Sequence, residues 1–131
     1  MELKELKVLV VEDHPSLVLI LEKMLVSIGF LEANIFKAKN GREAFSLFKK
    51  TKMDLVLTDW NMPVMDGVDF VRAIRRMDPR VPIIMETSKN RKAEVAFAIE
   101  AGISGYLVKP FQTAILKSKV EEVLGISDEK S

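Results

Sequence analysis

Three short apolar runs fix most of what this chain can become: LKVLVV at 6–11, DLVLT at 54–58 and VPIIM at 81–85. None alternates strictly between apolar and polar residues, and each is too short for a free-standing helix. Such runs read as strands covered on both faces, and two-sided cover is the mark of a parallel sheet with helices above and below it. Two weaker strand candidates, NIFKAK at 34–39 and SGYLV at 104–108, lie beside turn residues and bring the number to five.

Behind each strand the apolar period changes to that of a helix. The first helical pattern carries Leu17, Ile20, Leu21, Met24, Leu25 and Ile28, and the second Ala44, Phe45, Leu47 and Phe48. Val68, Val71 and Ile74 mark the third, Val95, Ala98 and Ile99 the fourth, and Ile115, Leu116, Val120, Val123 and Leu124 the fifth. Five strand–helix alternations predict an α/β fold with right-handed crossovers and helices on both faces of a five-stranded parallel sheet. No repeat or linker interrupts the pattern, so 1–131 reads as one domain, with a core from about 6 to 125 and a disordered tail over 126–131. The run LVLIL at 17–21 cannot turn five consecutive side chains inward on one helix, which puts Val18 and Leu19 at or near the surface.

Composition excludes several functions. The chain has no cysteine, so disulfide frameworks, thiolate zinc sites and cysteine nucleophiles are out. Twenty Lys and Arg against 19 Asp and Glu leave a formal net charge of +1, without the basic field that non-specific nucleic-acid binding requires. The N-terminal stretch is charged at Glu2, Lys4, Glu5 and Lys7, unlike a secretory signal, and no window approaches the ~20 apolar residues of a membrane span. A cytoplasmic protein without membrane insertion or a nucleic-acid partner is the expectation.

In an open parallel sheet the carboxyl ends of the strands share one edge, where ligands bind. The polar residues that follow strands one, three, four and five are Glu12 and Asp13, Asp59, Thr87 and Ser88, and Lys109. Each has a bland alternative: Asp13 as the cap of a helix starting near Pro15, Thr87 as a turn cap, Lys109 as a solvated lysine before a proline. Capping does not explain three acids converging from two strand ends. At ~4–5 Å and an effective dielectric of ~20, each carboxylate pair repels by about 3–4 kcal/mol, so a cation belongs among them. Mg2+ suits the set, with Asp13 and Asp59 as ligands, Glu12 through water and Asn61 through its backbone carbonyl. Lys109 and the Thr87 hydroxyl then face a phosphoryl group, and Asp59, at the end of the middle strand, is the candidate nucleophile of an aspartyl phosphate.

The segments VVED (10–13), LTDWNMPVMDG (57–67), ETS (86–88) and GYLVKPF (105–111) resemble the response regulator receiver family, within it the lone chemotaxis receivers. The resemblance spans the whole chain. It implies a flavodoxin-like doubly wound (βα)5 sheet in strand order 2-1-3-4-5. It further implies that Asp59 accepts a phosphoryl group from a histidine kinase or phosphotransfer protein, that Glu12, Asp13, Asp59 and the Asn61 carbonyl hold Mg2+, and that Lys109 and Thr87 bind phosphoryl oxygens. Thr87 then moves toward the phosphoryl group and Tyr106 turns inward behind it. Lys92, Val95, Tyr106 and Lys119 match the family's output surface, which suits an acidic, partly apolar peptide such as a flagellar motor switch protein presents. A monomeric phosphoacceptor whose aspartyl chemistry is self-catalysed, rather than a turnover enzyme, is expected.

Departures from the family pattern are part of the reading. Lys89 stands where the lone chemotaxis receivers carry an acid, near positions that govern water access to the phosphoryl group. Glu86 interrupts an apolar strand and either faces solvent or pairs with a lysine. The apolar surface of the first helix suits docking of a kinase or phosphotransfer helix. His14 is read as a solvent-facing or capping residue, not a ligand. Competing readings are a phosphate-sink receiver, a receiver cut from a larger regulator, and an Mg2+-dependent aspartyl-phosphate phosphatase, which needs an acid where Asn61 stands. A flavodoxin-like nucleotide binder is disfavoured by Glu12 and Asp13 in the first loop.

Overall fold

The computed structural model describes residues 2–126. Five strands, β1 (Val8–Val11), β2 (Ile35–Ala38), β3 (Leu55–Asp59), β4 (Ile83–Thr87) and β5 (Gly105–Val108), alternate with five helices. The helices are α1 (Pro15–Ile28), α2 (Gly41–Lys50), α3 (Gly67–Met77), α4 (Lys92–Ala101) and α5 (Thr113–Leu124). All strand pairs are parallel and the order is β2-β1-β3-β4-β5, as expected. Residues 127–131 of the expected tail lie outside the described residues.

The sheet divides the core by strand parity. Leu9, Val11, Val56, Ile83 and Met85 pack beneath the α2–α3–α4 layer. Val8, Val10, Leu55, Leu57, Ile84 and Leu107 pack against α1 and α5, where Leu21, Leu25, Leu116 and Val120 close the other side. Every residue of β1, β3 and β4 is buried, whereas the edge strands β2 and β5 are exposed in part. The central runs lack alternation because both of their faces are covered.

Local signals set the helix starts nearest the sheet's carboxyl edge. The Asn40 side chain accepts the Glu43 N–H at 2.8 Å ahead of α2, and Asp66 accepts the Asp69 N–H at 2.9 Å ahead of α3. The expected apolar faces need three corrections: Ile20, Ile99 and Ile115 are 48%, 58% and 53% exposed. Each lies next to the residue that takes the inward direction (Leu21, Ala98 and Leu116), and the 100° step between neighbours carries it off the covered stripe. Leu19 is exposed as expected, and Val18 is half-buried. Among the described residues no helix is long and apolar enough to cross a membrane.

Candidate functional site

Strand parity also builds the site. Val10, Leu57 and Ile84 form one row on the α1–α5 face, and two residues further along β1, β3 and β4 stand Glu12, Asp59 and Glu86. Asp59 and Glu86 are register partners, and one carboxylate oxygen from each of the three acids lies within 4.8 Å of the others. All three are buried: Glu12 at 1% exposure, Asp59 at 4%, Glu86 at 0%.

Lys109, one residue beyond β5, crosses this row. Its Nζ lies 3.2 Å from Glu86 Oε1, 3.3 Å from Glu12 Oε1 and 3.4 Å from Asp59 Oδ1. The Lys109 N–H donates to the Thr87 carbonyl at 2.8 Å, and the Lys109–Pro110 peptide is cis. Asp59 Oδ1 also accepts the Trp60 N–H at 2.7 Å, which orients the carboxylate. At the open side, His14 donates its backbone N–H to Glu12 Oε2 at 3.2 Å, and its Nδ1 lies 2.9 Å from the same oxygen. His14 is mostly exposed, as read from the sequence, yet it closes one edge of the acidic cluster. Asp13 Oδ1 is buried without a hydrogen bond, and the His14 ring nitrogen lies 3.3 Å from it.

The electrostatics follow from too many acids around one lysine. Burial raises the Asp59 pKa, with the Glu12 charge adding to it and Lys109 opposing. Burial pushes the Glu86 carboxyl up to about 9, against the pull of Lys109 and with help from Asp59 and Glu12. Burial favours the neutral Lys109 amine, but Glu86, Asp59 and Glu12 outweigh it and raise the lysine's pKa. Glu86 binds its proton more tightly folded than unfolded, so fold stability drains away as pH climbs from about 4.5 to about 9. Glu86→Leu is therefore expected to stabilise the metal-free protein by about 1–4 kcal/mol at pH 7.5, since Lys109 keeps two other carboxylates. Urea midpoints at pH 5 and 7.5 check this, and the gain should shrink at the lower pH.

Glu12, Asp59 and Glu86 offer clustered carboxylate oxygens, and Glu12 and Asp13 form a second group with the His14 ring beside them. This oxygen-rich set, with its orphaned Asp13 oxygen, suits a hard divalent cation. Asn61 is exposed at the start of the loop after β3. Thr87 points to the opposite face of β4 from Glu86, and its hydroxyl accepts the Lys89 N–H at 3.3 Å. The Tyr106 hydroxyl donates to the Lys89 carbonyl at 2.8 Å, so Thr87 and Tyr106 both meet the β4–α4 loop through one residue. Lys89 itself lies over the Trp60 ring at 5.3 Å, and Trp60 stacks on Phe97 of α4 at 6.1 Å between centroids. Of the expected output residues, Lys92 is exposed, whereas Val95, Tyr106 and Lys119 are half-buried.

The receiver-domain family model matches residues 8–121. The chain belongs to the response regulator receiver family. A CheY homolog of Campylobacter jejuni is 39% identical over 123 residues, covering 92% of this chain and 93% of its own. CheY1 of Helicobacter pylori is 40% identical over 127 residues, or 94% of this chain and all of its own. The receiver domain of the Pseudomonas aeruginosa sensor histidine kinase PA1611, solved with magnesium coordinated in its active-site cleft, superposes with a TM-score of 0.82 at 31% identity. That match covers 92% of this receiver and 98% of the other chain. CheY4 of Vibrio cholerae gives 0.82 at 32% identity, over 90% of this receiver and 98% of the other.

The structure thus brings together Glu12, Asp59 and Lys109 as expected, with Asp13 adjoining. It also adds Glu86, which sequence reasoning left between solvent and a lysine partner; it is fully buried and faces Lys109. The available signal was parity: Glu86 is two residues beyond Ile84, on the face that carries Asp59.

Proposed function

We propose that this receiver accepts a phosphoryl group on Asp59 from a histidine kinase or phosphotransfer protein and switches the binding of a downstream protein. The observation that carries the reading is the buried Asp59 carboxylate at the sheet's carboxyl edge, oriented by the Trp60 N–H and facing Lys109. An Asp59 oxygen attacks the phosphorus of a phosphohistidine. The O–P bond forms, the P–N bond breaks, and the departing electron pair returns to the imidazole, which takes up a proton. Lys109 supplies positive charge to the phosphoryl oxygens.

Glu12, Asp13, Asp59 and the Asn61 carbonyl would hold Mg2+. When bound, the ion supplies charge neutralisation between the carboxylates and the incoming phosphoryl group. The new phosphoryl group brings three acceptor oxygens and roughly −1.5 to −2 charges. Thr87 gives up the Lys89 N–H for it, and the loop that also anchors Tyr106 follows. Lys92, Val95, Tyr106 and Lys119 then change what they offer a partner. The chemotaxis names of its relatives favour a target in flagellar motor control. Aspartyl phosphorylation and its hydrolysis are self-catalysed, so the protein is a phosphoacceptor rather than a turnover enzyme.

Incubation with a small phosphodonor and Mg2+ is expected to add the mass of one phosphate, and chelation of Mg2+ to prevent it. A wild-type protein that gains no mass overturns the proposal.

A further inference from the structure

Glu86 is the one member of the carboxylate row that neither the acceptor chemistry nor the cation site uses. It is fully buried, and apart from the Lys109 ammonium neither carboxylate oxygen has a polar partner. Its ion-pair partner among the described residues is Lys109, at 3.2 Å, the shortest of the three contacts that Nζ makes. Glu86 and Lys109 border one cleft whose other lining groups, Leu17, Ile20, Leu21, Met24, Pro110 and Phe111, offer a carboxyl no side-chain polar partner.

An ammonium has three N–H donors, and here three carboxylates surround it. A phosphoryl group on Asp59 therefore has to draw Lys109 from acceptors that already occupy it. Glu12 keeps the His14 N–H if Lys109 shifts, whereas Glu86 keeps nothing. Stranding a buried carboxyl group in an apolar setting is strongly unfavourable. We infer that Glu86 is a positioning residue that competes with the phosphoryl group for Lys109, holding the lysine in the unphosphorylated arrangement and weakening the phosphorylated one. An ionised Glu86 holds the lysine as an ion pair and a protonated one through its carbonyl oxygen, so the competition exists in either form. The inference rests on the proposed acceptor role of Asp59 and extends it, assigning to a strand residue a control over how fully the site engages its phosphoryl group.

The test uses beryllofluoride, a non-covalent mimic of an acyl phosphate, titrated by calorimetry at saturating Mg2+ into the wild type and Glu86→Leu. Leucine removes the acceptor and suits the neighbouring apolar groups; Glu86→Ala repeats the measurement with a smaller side chain. Affinity is expected to tighten about tenfold in both variants, equivalent to ~1.4 kcal/mol. A residue that merely held the fold would leave affinity unchanged or weaken it, and either result in the folded variants overturns the inference. The two readings fail differently. A wild type that binds no beryllofluoride and gains no phosphate mass sinks the acceptor role itself, whereas a wild type that does both beside unimproved variants sinks the competition for Lys109 alone.

Discussion

Asp59→Asn is expected to lose the one-phosphate mass gain completely while remaining folded. The amide keeps the shape of the side chain and an oxygen that can still accept the Trp60 N–H, now at 2.7 Å. It lacks the anionic oxygen that attacks phosphorus, and no rearrangement of the site restores it. The fold should not suffer, because the acid is one of three buried carboxylates sharing one lysine. Burial and the neighbouring Glu12 already raise the Asp59 pKa, which means that its ionised form is resisted in the folded protein. Removing that charge should leave the unfolding free energy unchanged or raise it, by about 1 kcal/mol at neutral pH without metal. Mass spectrometry after exposure to phosphodonor and Mg2+ reads the first expectation, and a urea titration the second. An undiminished mass gain would move the acceptor elsewhere, with Glu12 and Asp13 next in line by position. A variant that fails to fold would show that Asp59 is needed for structure.

The acid was legible in the sequence because a carboxylate ending a run of fully buried residues has no packing use. Leu55, Val56 and Leu57 could be assigned to a two-sided strand from their lack of alternation, and the strand order followed from the family resemblance. Other features depend on information that one segment does not hold. Ile20, Ile99 and Ile115 read as core because periodicity gives the direction of a side chain but not the width of the surface that covers the helix. Glu86 was visible as an anomaly, yet its meeting with Lys109 depends on the register of β3, β4 and β5 together. The stack of Trp60 on Phe97 joins residues from α4 and the end of β3, and no local pattern announces it.

The loop after β3 shows the same limit at the level of the backbone. Val64 has φ of +71°, in a region that β-branched residues rarely enter, and the Met65 N–H reaches back to the Pro63 carbonyl at 2.7 Å across it. A sequence rule would have put glycine there. The side chain at that position is 70% exposed, so packing does not explain the choice of valine. The tight turn returns the chain so that the Gly67 N–H donates to the Trp60 carbonyl at 2.7 Å, next to the acceptor residue.

That return makes Gly67→Ala the substitution with the largest expected effect on the fold. Gly67 opens α3 and is buried against the end of β3. A Cβ there would lie well inside contact distance of the Asp59 carbonyl oxygen and 2.9 Å from the Trp60 Cα. Both obstacles are backbone, so no rotamer change relieves them. Either α3 moves away from the sheet or the end of β3 bends. The first opens the core in which Val68, Phe70 and Val71 are buried; the second displaces Asp59. The expected loss of stability is about 3 kcal/mol or more, a large share of the roughly 5–15 kcal/mol that holds a domain together. In the molecules that remain folded, the phosphorylation rate should drop about 100-fold, the usual consequence of a reacting group misplaced by ~1 Å. Urea unfolding and the initial rate of phosphate incorporation separate the two effects. A lowered midpoint with a normal rate would mean that α3 moves and β3 holds. An unchanged midpoint and an unchanged rate together would show that the close approach of Gly67 to Asp59 positions nothing.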